Sequence, residues 1–235
     1  MTELLPKTRV RKITAPIAIC FDVNPNIIEI GVDEVGRGPM LGRVYAAAVI
    51  LPKCSPDFDY SELKDSKKFH SKKKINKVAE YIKQNAIAWS VKWEDEKTID
   101  SVNIRNATHR AMHKAISEVI SKDSEKAVTE TLLLIDGNDF KPYICLRNDE
   151  ICQVPNVTIE GGDNKFCAIA AASILAKVER DSYIDELCIA NPDLNEKYDL
   201  SNNKGYGTKK HMDGIIQHGI TEWHRRSFGI CKTFN

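Results

Sequence analysis

The sequence lacks any run approaching the roughly 20 consecutive apolar residues that a membrane-crossing helix needs, which sets aside the helical membrane class. Its seven cysteines, at 20, 54, 145, 152, 167, 188 and 231, are odd in number and contain no C-x-x-C pair. A disulfide framework and a cysteine zinc site are therefore unsupported, and reduced thiols in a cytoplasmic protein are expected. There is no G-x-x-x-x-G-K-[ST] loop and only G-x-G of a dinucleotide fingerprint, at Gly36-Arg37-Gly38, so neither nucleotide-loop class is indicated. Near the N-terminus Lys7, Arg9, Arg11 and Lys12 precede a short apolar stretch, Ala15 to Ile19. Pro16 breaks that stretch and no small-residue cleavage site follows, so a signal peptide is not expected. Charge of one sign is also missing: 34 Lys+Arg stand against 33 Asp+Glu, a formal net charge of +1. Taken as a sum this argues against a nucleic-acid binder, but a sum is blind to segregation.

What is present is a chain of 235 residues with 42% hydrophobic and 29% charged residues, ordinary globular usage and enough for one large domain with its own core. Residues 1–26 read as an extension containing Pro6, Pro16 and Pro25. Asn26 to Val32 and Arg43 to Leu51 read as strands joined by the glycine-rich turn, and so short a link predicts an antiparallel hairpin. Helical spacing predicts a helix over Ser71 to Asn85 with Ser71 as its cap. A strand is expected at Ile87 to Trp93, one or two helices over Thr98 to Ile120, and a strand buried on both faces at Thr131 to Ile135. A short strand at Asn156 to Glu160, an alanine-rich helix over Lys165 to Arg180 and a helix over Thr208 to His218 complete the reading. A hairpin followed by alternating helices and strands predicts a mixed α/β sheet with helices on its faces.

The acids fall at strand ends. Asp33 and Glu34 follow the first apolar run, Asp136 follows Thr131 to Ile135, and Asp163 stands at the entry to the alanine-rich helix. Such ends gather at one edge of an α/β sheet, where sites are built. Taken singly, Asp136 before Gly137-Asn138 reads as a turn residue, Asp163 as a helix cap and Asp181 as a surface ion pair. Taken jointly, clustered carboxylates without His or Cys point to a hard divalent cation, Mg²⁺ or Mn²⁺. Two such ions about 3.5–4 Å apart serve phosphodiester hydrolysis. His109 and His113 are four apart, but no Glu follows His109, so a histidine metal pair is not expected.

Cationic residues gather too. Lys64, Lys67, Lys68, Lys72, Lys73, Lys74 and Lys77 fall within one short segment with Asp65 as its only acid; this reads as a solvated helix face and as a possible phosphate track. Lys204, Lys209, Lys210, Arg225 and Arg226 are interleaved with Tyr206, Trp223 and Phe228, a mixture suited to stacking on bases, although Trp223 and Phe228 read better as core. The acids Asp185, Glu186, Asp193, Glu196 and Asp199 read as solvated surface, and they balance the sum.

Residues 31–39, GVDEVGRGP, resemble the signature of the ribonuclease HII family, the type 2 ribonucleases H. So do Leu63-Lys64-Asp65-Ser66-Lys67-Lys68, Leu134-Ile135-Asp136-Gly137-Asn138 and Gly162-Asp163. Residues 170–181, AAASILAKVERD, then Lys204-Gly205-Tyr206-Gly207-Thr208 and Thr221 to Phe228 continue the resemblance in the family's order. Arg37 and the short extension favour this family over its sibling ribonuclease HIII. Met40 to Arg43 and Phe69-His70 depart from the usual pattern, and a long clamp-binding tail after Phe228 is not expected.

The resemblance implies a ribonuclease H-like mixed five-stranded sheet flanked by helices, with a helical C-terminal portion. The catalytic domain would span 27–230, leaving 231–235 as a short tail. It implies a monomeric endonuclease acting on RNA–DNA hybrids and on duplex DNA containing ribonucleotides, with no membrane association. Products would carry 3′-hydroxyl and 5′-phosphate ends. By the same resemblance Asp33, Glu34, Asp136 and Asp163 would hold metal and carry catalysis. Gly36, Arg37 and Gly38 would read the ribose 2′-hydroxyl, the one group that tells RNA from DNA at a position. Tyr206 would sense the RNA–DNA junction, and Lys67 and Arg226 would bind substrate. A silent nucleic-acid-binding module is the alternative from another class; a cluster of acids facing phosphate counts against it.

Overall fold

The computed structural model describes residues 17–122, 130–147 and 149–234. Most of the expected extension, including Pro6, Lys7, Arg9, Arg11, Lys12 and Pro16, lies outside them.

The sheet begins with β1 (Ile28–Val35) and β2 (Val44–Ile50), the expected antiparallel hairpin, with Gly31 opposite Val49 and Val35 opposite Tyr45. β3 (Ala88–Glu94) adds antiparallel to β2, while β4 (Thr131–Asp136) lies parallel to the other side of β1. β7 (Asn156–Ile159) lies parallel to β4 and completes a mixed five-stranded sheet in the order β3-β2-β1-β4-β7. One correction concerns β1: Asp33 and Glu34 lie inside the strand, opposite Ala47 and Ala46, not after it. Ladder pairing to the alanine-rich β2 carries the strand through the charged pair. A second concerns β5 (Ile144–Arg147) and β6 (Glu150–Gln153), a two-stranded ribbon whose alternation the sequence reading passed over.

Alternation along the central strands divides the core in two. Ile28, Ile30 and Val32 of β1, with Leu133 and Ile135 of β4, face α3 (Ile104–Lys122) through Ala111, Met112, Ala115, Ile116 and Val119. The opposite face takes α1 (Lys72–Asn85) and α4 (Cys167–Ala190), whose Ala168, Ala170, Ala171 and Ala172 pack with Ala47 and Val49. Small residues let α4 press close. A Cβ on Gly31 would stand 2.1 Å from the Ala168 carbonyl carbon, so only glycine fits where this strand meets this helix. Ser71 caps α1 as its spacing predicts, and the helical stretch before β4 is two helices, α2 (Glu96–Val102) and α3.

Helix α4 runs ten residues beyond the expected end at Arg180, because Glu179-Arg180-Asp181 reads as a surface terminus although Arg180 is fully buried. Its second half joins α5 (Pro192–Tyr198), α6 (Leu200–Asn203), α7 (Lys209–His218) and a 3₁₀ turn at Gly229–Phe234. Their core contains Ile184, Leu187, Leu194, Tyr198, Ile215 and Cys231, together with Met40 and Leu41 from the chain after the glycine turn. Trp223 and Phe228 pack against it, as expected. Among the described residues no helix is long and apolar enough to cross a membrane.

Candidate active site

On β1 the odd positions face α4, so Asp33 points toward that helix. The parallel register sets Val32 beside Ile135, which places Asp136 next to Asp33 at the same end of the sheet. From β7 the chain returns through Gly161, in the left-handed region, into a 3₁₀ turn at Gly162–Asn164 that delivers Asp163. One carboxylate oxygen from each of Asp33, Asp136 and Asp163 lies within 4.8 Å of the others. Asp163 is not the cap of α4; that position is Phe166, which makes no side-chain cap bond. Glu34 lies outside this threesome, and its carboxylate is 3.3 Å from the Arg37 guanidinium. Asp181 forms an ion pair with Lys177 at 2.9 Å, the surface role expected of it.

Hydrogen bonds hold each acid. Asp33 Oδ1 accepts the Glu34 N–H at 2.7 Å and the Ser173 hydroxyl also bonds its carboxylate. Asp136 Oδ1 accepts the Gly162 N–H at 2.7 Å. Asn164 donates to Asp163 at 2.8 Å and to Asp65 at 3.2 Å, and its carbonyl accepts the Lys68 ammonium. The Lys-rich turn that starts at Asp65 is seated by a 3.0 Å contact between the Ser66 and Ser173 hydroxyls. Neither Asn164, one residue beyond Gly162-Asp163, nor Ser173, inside the alanine-rich motif, is given a role by the sequence.

Burial, then the charges of Glu34 and Asp136, push the Asp33 carboxyl well above the usual range. Asp163 is raised by burial and by Asp65 and Asp136. Glu34 is raised by burial, with Arg37 opposing. Burial alone would lower the Lys67 ammonium, but the fields of Asp163, Asp65, Asp33 and Asp136 outweigh it and hold its pKa above the ordinary value. Oxygen donors only, closely grouped and largely buried, fit a hard divalent cation, whose charge would offset their mutual repulsion.

Beside the acids stands the glycine turn. Gly36 has φ +89°, and a Cβ there would meet Arg180 Nε at 2.4 Å. Tyr206, about two-fifths exposed, lies next to it, its Cε1 3.5 Å from where a Cβ on Gly38 would stand. Lys67 is exposed beside the cluster. Arg226 is exposed, and its N–H is held by Asp100 at 2.8 Å. The neighbouring Arg225 is fully buried and donates to the carbonyls of Gly36 at 2.6 Å, Arg37 at 3.0 Å, Pro39 at 2.8 Å and Gly42 at 2.8 Å. In an Arg-Arg pair nothing in the sequence says which one goes inside. The expected C-terminal basic surface is reduced accordingly: Arg225 is interior and Lys204 pairs with Asp185. Asp185 is no free surface acid either, since Lys72 also reaches it. His109 and His113 each face a backbone carbonyl, of Asp139 and Lys141.

The family profile described as Ribonuclease HII matches residues 30–231. The ribonuclease HII of Parabacteroides distasonis is 44% identical over 203 residues, 86% of this chain and 90% of that protein. Among solved structures, the ribonuclease H2 of Pyrococcus horikoshii superposes with a TM-score of 0.66 at 20% identity, covering 88% of this chain and 97% of that one. A Bst-RNase HIII in complex with Mn²⁺ gives 0.56 at 16% identity, with 82% and 70% covered. With the profile spanning most of the chain, the protein belongs to the ribonuclease HII family, metal-dependent ribonucleases H that cut the RNA strand of RNA–DNA hybrids.

Proposed function

We propose that the protein cuts RNA–DNA hybrids and also single ribonucleotides embedded in duplex DNA, by two-metal-ion hydrolysis that leaves 3′-hydroxyl and 5′-phosphate ends. The catalytic unit we assign spans 27–230. The observation that carries the reading is the convergence of Asp33, Asp136 and Asp163 beside a glycine turn and an exposed aromatic ring. These three acids, with Glu34 swinging from Arg37, would hold Mg²⁺ or Mn²⁺. When bound, such ions supply an activated water and stabilisation of the leaving oxygen. The chain's own part is positional. Asp33 and Asp136 are fixed by ladder and amide bonds, Asp163 by Asn164, and Lys67 offers a cation to the scissile phosphate. Gly36, Arg37 and Gly38 present backbone to the ribose 2′-hydroxyl, Tyr206 offers a face for the sugar or base at the junction, and Arg226 offers charge to the flanking backbone.

Seven free thiols support a reducing cytoplasmic setting, where the protein would act as a monomer. The deciding experiment uses duplex DNA containing one ribonucleotide, incubated with Mg²⁺, Mn²⁺ or EDTA. Cleavage beside the ribonucleotide with either metal and none with EDTA is expected. Cleavage in EDTA, or none with either metal, would sink the proposal.

A further inference from the structure

The Gly36-Arg37-Gly38 turn is held from beneath by a residue nearly two hundred positions away. Arg225 spends its planar fork on four backbone carbonyls, those of Gly36, Arg37, Pro39 and Gly42. In a trans peptide the N–H points opposite to the C=O of the same unit. With the carbonyls of Gly36 and Arg37 drawn inward, the N–H groups of Arg37 and Gly38 are turned outward, toward the open side beside Tyr206. The segment bearing Arg225 is itself clamped. Arg225 N–H donates to the Met40 carbonyl at 2.8 Å, Gly42 N–H to the Trp223 carbonyl at 2.9 Å. Asp100 accepts the N–H groups of Arg226 and Ser227 at 2.8 and 2.9 Å and the Ser227 hydroxyl at 2.5 Å. Arg180, also fully buried, closes the other side against Gly36.

We propose that Arg225 is the positioning residue of this turn: by fixing which way its peptide units face, a C-terminal side chain buried away from the nucleic acid sets the discrimination for an embedded ribonucleotide. The inference rests on the reading of the turn given under the proposed function. No other side chain can replace the fork; lysine keeps the charge but presents one point donor in place of a planar, multi-donor group.

The test compares kcat and KM on two substrates, duplex DNA with one ribonucleotide and a long RNA–DNA hybrid, for the full-length protein and its Arg225→Lys, Gly38→Pro and double variants, with circular dichroism as the check on folding. Gly38→Pro removes one of the two outward N–H groups, and a Cβ there meets only the Tyr206 ring, at 3.5 Å. Arg225→Lys should lower kcat on the single ribonucleotide by up to about 10²-fold, the scale of small misplacements in a site, with a clearly smaller loss on the hybrid. In the double variant the change in the ratio of the two rates should be no larger than in Gly38→Pro alone, since both act through one turn. Equal losses on both substrates in Arg225→Lys, with Gly38→Pro still shifting the ratio, would overturn the inference and leave the reading of the turn intact. An unchanged ratio in Gly38→Pro would overturn the reading and the inference with it. Should Arg225→Lys fail to fold, Asp100→Asn loosens the same segment from outside. It should shift the ratio in the same direction, and an unshifted ratio there counts against the proposal.

Discussion

The carboxylate of Asp136 holds the N–H of Gly162 at 2.7 Å, so one acid of the cluster pins the turn that carries another, Asp163. The two are a mechanical pair before any cation joins them. Asp136→Asn should therefore lose more than the roughly 10–100-fold that removing an outer partner of a metal ligand costs, while affinity for the hybrid stays within a few-fold. Single-turnover cleavage with Mg²⁺ and a gel-shift titration measure both. Retained turnover would remove Asp136 from the metal site.

Gly31→Ala should destabilise without touching the chemistry. Its Cβ would lie 2.1 and 2.3 Å from the carbonyl carbon and oxygen of Ala168, backbone atoms of a helix that cannot yield without lifting off the sheet. Overpacking of this kind costs about 1–3 kcal/mol, and each kcal/mol lowers Tm by about 2–4 °C in a protein of this size. A thermal melt within 1 °C of the parent, on the order of a quarter kcal/mol by the same scale, would contradict the close approach.

Tyr206→Ala should hurt cleavage at a single embedded ribonucleotide more than cleavage of a long hybrid, where neighbouring ribose contacts compensate. Loss of a base or sugar stacking face costs about 1–3 kcal/mol, so a several-fold to roughly hundredfold drop is expected on the first substrate. Equal drops on both would deny Tyr206 a junction role.

A pH effect follows from two buried imidazoles. His211 Nδ1 faces the Tyr206 carbonyl at 3.0 Å, its Nε2 lies 3.2 Å from His224 Nε2, and His224 Nδ1 accepts the Thr221 N–H at 2.9 Å. The chain closes with both rings neutral: His211 donates through Nδ1, His224 through Nε2. Burial, then the neighbouring His211, push the His224 pKa down from 6.5 to about 3, and burial lowers His211. Through this pair the unfolded chain binds more protons than the folded one between those values, so the pair's contribution to stability should be flat above pH 6.5 and fall as pH drops toward 3. The His224 part of the slope can reach about 1.4 kcal/mol per pH unit. Urea unfolding from pH 7 to 4 should show a shallower slope in His224→Gln; parallel slopes would refute the assignment.

Much of the site was legible because its acids sit where apolar runs stop, and apolar periodicity is the strongest local signal. For Gly36-Arg37-Gly38 and Tyr206 the residues suggested only a tight turn open to close approach and an aromatic suited to stacking; the 2′-hydroxyl and junction roles came from the resemblance alone. Arg225, Arg180 and Asp100 were invisible for another reason. A charged residue announces a surface, and burial of an arginine among carbonyls depends on segments far apart in the chain. The β5–β6 ribbon escaped because its outward Ile144, Leu146 and Ile151 break the expectation that exposed faces are polar.

Helix α4 gives the enzyme a ruler. Ser173, under Asp33, and Arg180, under Gly36 and within 5.6 Å of the Tyr206 ring, are two turns apart on one helix face, a rise of about 10.5 Å. Under the function proposed above, the place where a bond would be broken and the place where a sugar would be inspected are thus marks on a single rigid rod. The offset between the inspected nucleotide and the nick should therefore be constant, independent of temperature, salt or the length of the RNA tract.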